Sequence, residues 1–214
     1  MPKKIAVVLA GCGRMDGSEV HESTLSLLYL AQGGALYHCF APNDPQVAVI
    51  DNLTGKVSEG ATRNQMVEAA RIARGKIQPL ADLEPSEFDG LVVPGGSGGF
   101  KNLSVGPGNV HPQLRRVVEG FYNAGKPMAF ICIAPVLAAR VLGVQGVELT
   151  IGNDAETAAE IERTGAHHIV ARVNECVADE TLKVVSTPAY MLGPGIADIA
   201  AGIQSCIKKL LSWA

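Results

Sequence analysis

The chain has 214 residues, of which 47% are hydrophobic and 18% charged, and its formal net charge is −3 at pH 7. This composition predicts one compact globular domain over residues 1–214, and the lack of a basic cluster argues against nucleic acid and anionic membranes as partners. The five cysteines are odd in number and form no CxxC pair, which indicates a reducing compartment rather than a disulfide framework or structural zinc. The apolar run at residues 5–10 is too short for a signal peptide or a membrane span, so we expect a cytoplasmic protein.

Strand-like and helix-like stretches alternate along the chain. The predicted strands lie at residues 4–10, 35–40, 88–93, 127–132, 147–151 and 183–187. The predicted helices lie at residues 18–32, 62–74, 111–124, 133–142, 155–164 and 195–213, and a turn-rich excursion precedes the second helix. Apolar strands with helices between them are typical of a mostly parallel sheet covered on both faces, so we expect an α/β fold.

Cys132 lies where a predicted strand ends and a predicted helix begins, in the run Lys126-Pro-Met-Ala-Phe-Ile-Cys-Ile-Ala-Pro135. Pro135 falls in the first helical turn, where its missing N–H costs nothing. Open α/β proteins place their ligands at this edge of the sheet, and the positive end of a helix lowers the pKa of a thiol. We therefore expect Cys132 to be a reactive thiol, although a free cysteine is also a common inert core residue.

Two glycine clusters follow predicted strands. In residues 11–17 the third glycine stands one position too late for a GxGxxG loop, and the chain has no GxxxxGK[ST] run, so a dinucleotide site is disfavoured. Pro94-Gly95-Gly96 ends another strand, where it forms either a simple tight turn or a backbone N–H that faces an oxyanion.

Carboxylates and histidines give weaker signals. Asp16 and Glu19 form a D-x-x-E pattern before an apolar run, which predicts a helix cap, and Glu22 follows one turn later. The five histidines have no zinc-binding spacing, so no metal site is predicted. From the pattern alone, Glu22 is more typical of a solvated surface charge than of a catalytic group.

Short motifs are spread along the chain, including Val-Val-Pro-Gly-Gly at 92–96 and Phe-Ile-Cys-Ile-Ala-Pro at 130–135. Further motifs lie at residues 11–13, 16–22, 52–55, 149–152 and 187–191. On these motifs the chain resembles the PfpI superfamily of cysteine-elbow proteins. More narrowly, its whole length is similar to the ElbB type, proteins named for enhanced lycopene biosynthesis and described as isoprenoid-biosynthesis glyoxalases.

The resemblance implies a flavodoxin-like three-layer sandwich, a single class I glutamine amidotransferase-like domain and a homodimer. It implies that Cys132 is the nucleophile, that Glu22 is the carboxyl group beside it, and that the backbone N–H groups of Gly96 and Ile133 form an oxyanion site. The implied activity is a glyoxalase without cofactor or metal. The thiolate attacks a small dicarbonyl, glyoxal or methylglyoxal, Glu22 moves a proton between the carbons of the hemithioacetal, and hydrolysis releases the 2-hydroxy acid.

The chain departs from the superfamily in its histidines. Ile133 follows Cys132 where many members have a histidine, and residues 187–190 lack the His-x-Glu pair of glutamine amidotransferases, so glutaminase and protease activities are disfavoured. Two non-enzymatic alternatives stay open. One is a redox sensor in which Cys132 is oxidised and Glu22 hydrogen-bonds to the product, and the other is a protein that only binds a metabolite.

Overall fold

Strands and helices alternate along the chain in the computed structural model, which describes residues 1–193 and 195–214. The strands are β1 (Lys4–Val8), β2 (Leu36–Ala41), β3 (Ile50–Asp51), β4 (Lys56–Val57), β5 (Ile77–Pro79), β6 (Gly90–Val93), β7 (Met128–Ile131), β8 (Glu148–Leu149), β9 (His167–His168), β10 (Val177–Asp179) and β11 (Val184–Thr187). The helices are α1 (Val20–Gln32), α2 (Gln65–Ala69), α3 (Ser97–Asn102), α4 (Pro112–Asn123), α5 (Pro135–Leu142), α6 (Ala155–Glu162) and α7 (Ile196–Trp213).

A seven-stranded sheet forms the centre of the fold, with the strand order β10-β11-β7-β6-β1-β2-β5. Its pairings are parallel except that of β10 with β11, which is antiparallel. Outside this sheet, β3 and β4 form a small antiparallel hairpin, and β8 pairs with β9 in parallel. The mostly parallel α/β sheet predicted from the sequence is confirmed.

Helices pack on both faces of the sheet because its central strands are apolar on both sides. In β6, Val92 shares a core cluster with Leu27 of α1 and Ile203 of α7, whereas its neighbours in the strand belong to a second cluster that contains Leu114 of α4 and Leu137 of α5. The result is a three-layer arrangement of helices, sheet and helices. Within residues 1–193 and 195–214, no helix combines the length and the apolar character needed to cross a membrane.

The second predicted helix is shorter than its periodicity indicates. The side chain of Asn64 caps two N–H groups of the first turn, so α2 begins at Gln65 and ends after five residues. The chain then turns through Arg74 and Gly75, which have φ values of 53° and 78°, and enters the edge strand β5. This three-residue strand, which the sequence analysis did not predict, contains Pro79, a residue that a sheet tolerates only at its edge.

The glycine-rich segment after β6 continues into a helix that was not predicted from the sequence. α3 begins at Ser97, directly after Gly96. A Cβ atom on Gly98 would stand 2.0 Å from the backbone nitrogen of Gly17, so the helix lies directly against the loop that follows β1. Close packing of two backbones therefore explains a helix that intrinsic propensity disfavours.

The carboxyl ends of β1 and β6 lie at the switch point of the sheet. From β1 the strand order runs through β2 to β5 on one side, and through β6, β7 and β11 on the other. Open α/β sheets bind their ligands in the crevice beyond such a switch point. The segments that follow β1, β6, β7 and β11 are therefore the place to look for a functional site.

Candidate active site

Cys132 directly follows β7 and has a φ of 63°, a left-handed conformation that non-glycine residues rarely adopt. Its N–H donates a hydrogen bond to the Thr187 carbonyl at 2.9 Å, which fixes the corner to the neighbouring strand β11. The residue is only 7% exposed. The chain therefore holds a strained cysteine at the carboxyl edge of the sheet, as expected of a reactive thiol.

Glu22 lies in the first turn of α1 and is fully buried, with an exposed fraction of 0%. Glu19 is the N-cap of this helix, and its Oε2 accepts a hydrogen bond from the Glu22 N–H at 2.8 Å. The prediction that Asp16 and Glu19 form a capping box is therefore wrong. Asp16 instead accepts hydrogen bonds from the Ile50 N–H and from Asn52 Nδ2, at 3.1 and 2.9 Å, and anchors the excursion that contains β3.

The carboxyl group of Glu22 meets Cys132 inside the protein. The two side chains meet beside Gly95, and each shifts the pKa of the other. The Gly95 N–H donates to Glu22 Oε2 at 3.0 Å, and the Tyr190 N–H donates to Oε1 at 3.3 Å. Residues from four separate segments thus meet at one thiol–carboxyl pair, and Glu22 is not the surface charge that its sequence pattern suggested.

The electrostatics of the pair differ from the sequence expectation. Burial raises the pKa of Glu22 to about 7, assisted by the Glu19 carboxylate and opposed by its hydrogen bonds to Cys132, Tyr190 and Gly95. Burial and then the Glu22 carboxylate also raise the pKa of the Cys132 thiol well above its usual range. The prediction of a thiol acidified by the helix N-terminus is therefore wrong for this arrangement, because desolvation outweighs the backbone donors.

Two backbone N–H groups nevertheless favour negative charge on the sulfur. The backbone N–H groups of Gly96 and Ile133 lower the pKa of Cys132 against the larger effect of burial. These are the two groups that the resemblance assigned to an oxyanion site, and the structure places both at the sulfur. A carboxylate next to a buried thiol can act as the base that activates this nucleophile. The two backbone N–H groups can stabilise the negative charge that develops.

Gly95 and Gly96 are required by the close packing of this site. A Cβ on Gly95 would stand 2.5 Å from the Cys132 Cβ and 2.7 Å from Glu22 Oε2. Gly96 has a φ of 105°, and a Cβ there would stand 2.5 Å from the Glu19 nitrogen. Of the two interpretations left open by the sequence, the structure shows a tight turn that also presents N–H groups to the thiol–carboxyl pair.

Tyr190 and His21 lie at the rim of the site, and the sequence analysis did not identify either as a site residue. Their side chains hydrogen-bond at 2.7 Å between His21 Nδ1 and the Tyr190 hydroxyl. The available signals were weak: His21 precedes Glu22, and Tyr190 stands in a motif at 187–191 quoted only for the resemblance. His111 is held by Asp44, and the pair His167–His168 forms β9.

The remaining candidates carry no comparable arrangement. The loop at residues 11–17 packs closely against itself, since a Cβ on Gly17 would stand 2.1 Å from the Cys12 nitrogen. Burial raises the pKa of the Cys39 thiol to about 12 and that of Cys206 well above its usual range, and among the described residues no carboxylate or imidazole contributes to either shift. In the described ranges, no group of three His, Cys, Asp or Glu side chains is arranged to hold a metal ion.

Comparison with known proteins identifies the fold and the family. The model of the DJ-1/PfpI family matches residues 36–191. The human glutamine amidotransferase-like class 1 domain-containing protein 3, mitochondrial, is 44% identical over 97% of this chain and 82% of its own length. The chain belongs to the DJ-1/PfpI family. The rat ES1 protein homolog, mitochondrial, is 43% identical over 97% of this chain and 83% of its own length.

A crystal structure extends this comparison to the whole chain. An isoprenoid biosynthesis protein with amidotransferase-like domain from Ehrlichia chaffeensis superimposes with a TM-score of 0.94, at 36% identity and 99% coverage of both chains. The flavodoxin-like, class I glutamine amidotransferase-like sandwich and the ElbB-like resemblance are thereby confirmed. A DJ-1 mutant from Schizosaccharomyces pombe, 16% identical with a TM-score of 0.59 over 98% of this chain and 90% of its own, shares the fold alone.

Proposed function

We propose that this protein is a cofactor-independent glyoxalase that converts glyoxal, and methylglyoxal by the same route, to the 2-hydroxy acid. The observation that carries the proposal is the buried pairing of the Cys132 thiol with the Glu22 carboxyl group, which meet beside Gly95. A pKa of about 7 for Glu22 supports it, because a group that titrates near neutral pH both accepts and returns protons there.

In the proposed reaction, the Glu22 carboxylate takes the thiol proton as the Cys132 sulfur attacks one aldehyde carbon. Glu22 then gives this proton to the aldehyde oxygen, which becomes the hemithioacetal hydroxyl, and is a carboxylate again. The carboxylate next removes the hydrogen of that carbon as a proton and returns it to the second carbon. The hydroxyl proton meanwhile moves to the second oxygen, which leaves a thioester of the 2-hydroxy acid. Water adds to the thioester and the C–S bond breaks, so that glyoxal plus one water gives glycolic acid without external oxidant.

Backbone donors and glycines give the proposal further support. The N–H groups of Gly96 and Ile133 already contact the sulfur, so they are available to negative charge on the thiolate and on the attacked oxygen. The packing around Gly95 is tight, since a Cβ there would overlap Cys132 and Glu22. This tight packing favours a small dicarbonyl over a bulky substrate such as a glutathione adduct.

Redox sensing is the second candidate function. The observation that favours it is the carboxyl group of Glu22 against the sulfur, which can donate a hydrogen bond to a sulfenate or sulfinate of Cys132. In this reaction the Cys132 sulfur gives two electrons to hydrogen peroxide and forms an S–O bond as the O–O bond breaks, and the other oxygen takes the thiol proton and leaves as water. The raised thiol pKa and the 7% exposure of Cys132 argue against fast oxidation, so this function ranks second.

The deciding experiment measures glycolate and lactate formed from glyoxal and methylglyoxal without glutathione. We expect product from the wild type and from Cys176→Ala and Glu68→Gln, which change a cysteine and a buried glutamate outside the site. Cys132→Ala and Glu22→Gln should lose it while keeping their circular dichroism. No product above buffer from the wild type, or equal product from Cys132→Ala, contradicts the glyoxalase. Selective peroxide oxidation of Cys132 in that case makes redox sensing the better hypothesis.

The proposal includes the assembly and location expected from the sequence. A homodimer, implied by resemblance, should give about twice the 22.4 kDa chain mass in light scattering behind a sizing column, and a monomer at every concentration contradicts it.

The human and rat relatives are named mitochondrial, and the cytoplasmic location of this protein stays a prediction.

A further inference from the structure

Tyr190 contacts helix α1 twice, once through its backbone and once through its side chain. Its N–H donates to Glu22 Oε1 at 3.3 Å, and its hydroxyl hydrogen-bonds to His21 Nδ1 at 2.7 Å. His21 and Glu22 are neighbours in the sequence, but His21 is exposed and Glu22 is buried. One tyrosine therefore links the surface of α1 to the acid–base group inside it.

The backbone before Tyr190 is shaped for these two contacts. Ala189 has a φ of 42° and is fully buried, in a short 3-10 turn over Ala189–Met191 that follows β11. A non-glycine residue keeps such a conformation only where surrounding contacts hold it. The turn also packs in the core beside α7, and among the described residues its hydrogen bonds to α1 are those of Tyr190 with His21 and Glu22.

We propose that the hydrogen bond between His21 and the Tyr190 hydroxyl is a clasp that holds the Tyr190 N–H on Glu22 Oε1 and so positions the carboxyl group against Cys132. His21 and Tyr190 are thus positioning residues for the thiol–carboxyl pair. The inference deepens the proposed function, on which its catalytic meaning rests, because it assigns to His21 and Tyr190 the control of Glu22 that a histidine next to Cys132 does not provide.

The charges around the clasp determine how the pKa of Glu22 should change when the clasp is lost. Glu19 and Cys132 face the Glu22 carboxyl group, and Glu19 and Glu22 face the Tyr190 phenol. The Tyr190 N–H lowers the pKa of Glu22 because it stabilises the carboxylate. A released turn therefore leaves the carboxylate short of one donor next to the negative Glu19, and the pKa of Glu22 should rise from about 7.

The test is the pH dependence of Cys132 alkylation by iodoacetamide, followed by mass spectrometry of the Cys132 peptide. This readout follows deprotonation of the Cys132–Glu22 pair and needs no dicarbonyl turnover. In Tyr190→Phe and in His21→Ala, the midpoint of the first rise in rate should move up by about half to one pH unit, the effect of one hydrogen bond to a charged group. The double variant should shift no further than either single one, because both remove the same hydrogen bond.

Matched controls separate the clasp from a general loosening of the site. Tyr29→Phe changes a half-buried tyrosine of the same helix, and His167→Ala changes an exposed histidine on β9, so both should keep the wild-type midpoint. Wild-type midpoints in Tyr190→Phe and His21→Ala, a rate change at all pH values without a shift, or additive shifts overturn the clasp. If only the dicarbonyl assay fails, the alkylation experiment still tests the clasp. If the protein converts glyoxal but the variants do not shift the alkylation midpoint, the clasp is rejected and the proposed function is not.

Discussion

The nucleophile candidate is held in a backbone conformation that its residue type disfavours. Cys132 has a φ of 63°, and an L-residue in this region costs about 1–2 kcal/mol. Strain of this size at a site residue persists only if the surrounding structure compensates for it. Here the Thr187 carbonyl accepts the Cys132 N–H, and α5 begins with a proline three residues later. The corner between β7 and α5 therefore holds the Cys132 side chain in a defined position at a cost in local stability.

A comparison of Cys132→Gly with Cys132→Ala tests this strain directly. Both variants lack the sulfur, but only glycine adopts the left-handed conformation without a steric penalty. We expect the glycine variant to be more stable by about 1 kcal/mol in urea denaturation, despite its smaller side chain. Equal stability, or a more stable alanine variant, contradicts the view that the corner is strained.

The contact between Gly95 and the thiol–carboxyl pair gives a second prediction. In Gly95→Ala the new Cβ would overlap the Cys132 Cβ and Glu22 Oε2, at 2.5 and 2.7 Å, so one of the two side chains must move. We expect a loss of about 1–3 kcal/mol in unfolding free energy and a changed pH profile of Cys132 alkylation. Gly60→Ala is the control, because its Cβ meets nothing within 4 Å while its φ of 73° also costs stability. An unchanged profile in Gly95→Ala disproves the tight contact.

At the scale of elements, a strand or helix was predicted correctly where the residues that determine it are neighbours in the sequence. The corner between β7 and α5 was predicted correctly because an apolar strand, a cysteine and a helix-starting proline stand next to each other. The edge strand β5 and the helix α3 were missed. Their formation depends on a neighbouring strand and on the loop at residues 11–17, which are distant in sequence.

The residues of the candidate site were likewise predictable only where the determining pattern is local. Cys132 was identified from its local pattern, whereas the role of Glu22 came from the family resemblance, because its helix is apolar on nearly every side. Tyr190 stands 168 residues from Glu22 and acts through its backbone N–H, a group that every residue except proline carries. No residue-type pattern can therefore predict such a contact, and it becomes visible only when β11 is placed beside β7.

One buried carboxylate helps to anchor the excursion around β3 and β4, which gives a third prediction. Asp16 is 3% exposed and accepts hydrogen bonds from the Ile50 N–H and Asn52 Nδ2. Asp16→Ala leaves both donors without this partner, so we expect faster hydrogen exchange at the Ile50 amide and a loss of about 1–3 kcal/mol. Asp154→Ala removes the exposed cap of α6 and should leave Ile50 exchange unchanged. Equal exchange at Ile50 in both variants contradicts the anchoring role.

At the scale of the whole molecule, the thiol–carboxyl pair links distant parts of the sheet. Its contacts come from α1, from the segments after β6 and β7, and from the turn after β11, so the pair exists only in the folded chain. Placing a carboxyl group there costs stability whenever it is ionised, because burial disfavours the charged form. The site therefore makes the stability of the entire protein depend on pH.

The direction of this dependence follows from the pKa of Glu22, which burial raises from 4.5 to about 7. Between these values the folded protein binds more protons than the unfolded chain, so stability falls as the pH rises through this window and is constant above it. Each pKa unit corresponds to about 1.4 kcal/mol, so the loss attributable to Glu22 is about 3 kcal/mol.

Glu22→Gln isolates this contribution, since glutamine keeps the shape of the protonated carboxyl group and cannot ionise. We expect the free energy of unfolding of the wild type, relative to that of Glu22→Gln, to fall by about 2–3 kcal/mol between pH 5 and pH 8 in urea titrations. Glu68→Gln, which removes a nearly buried glutamate paired with Arg71, controls for the loss of a carboxylate elsewhere. A difference between wild type and Glu22→Gln that is the same at both pH values means that Glu22 stays ionised in the folded protein, and the proton transfer assigned to it near neutral pH is then excluded.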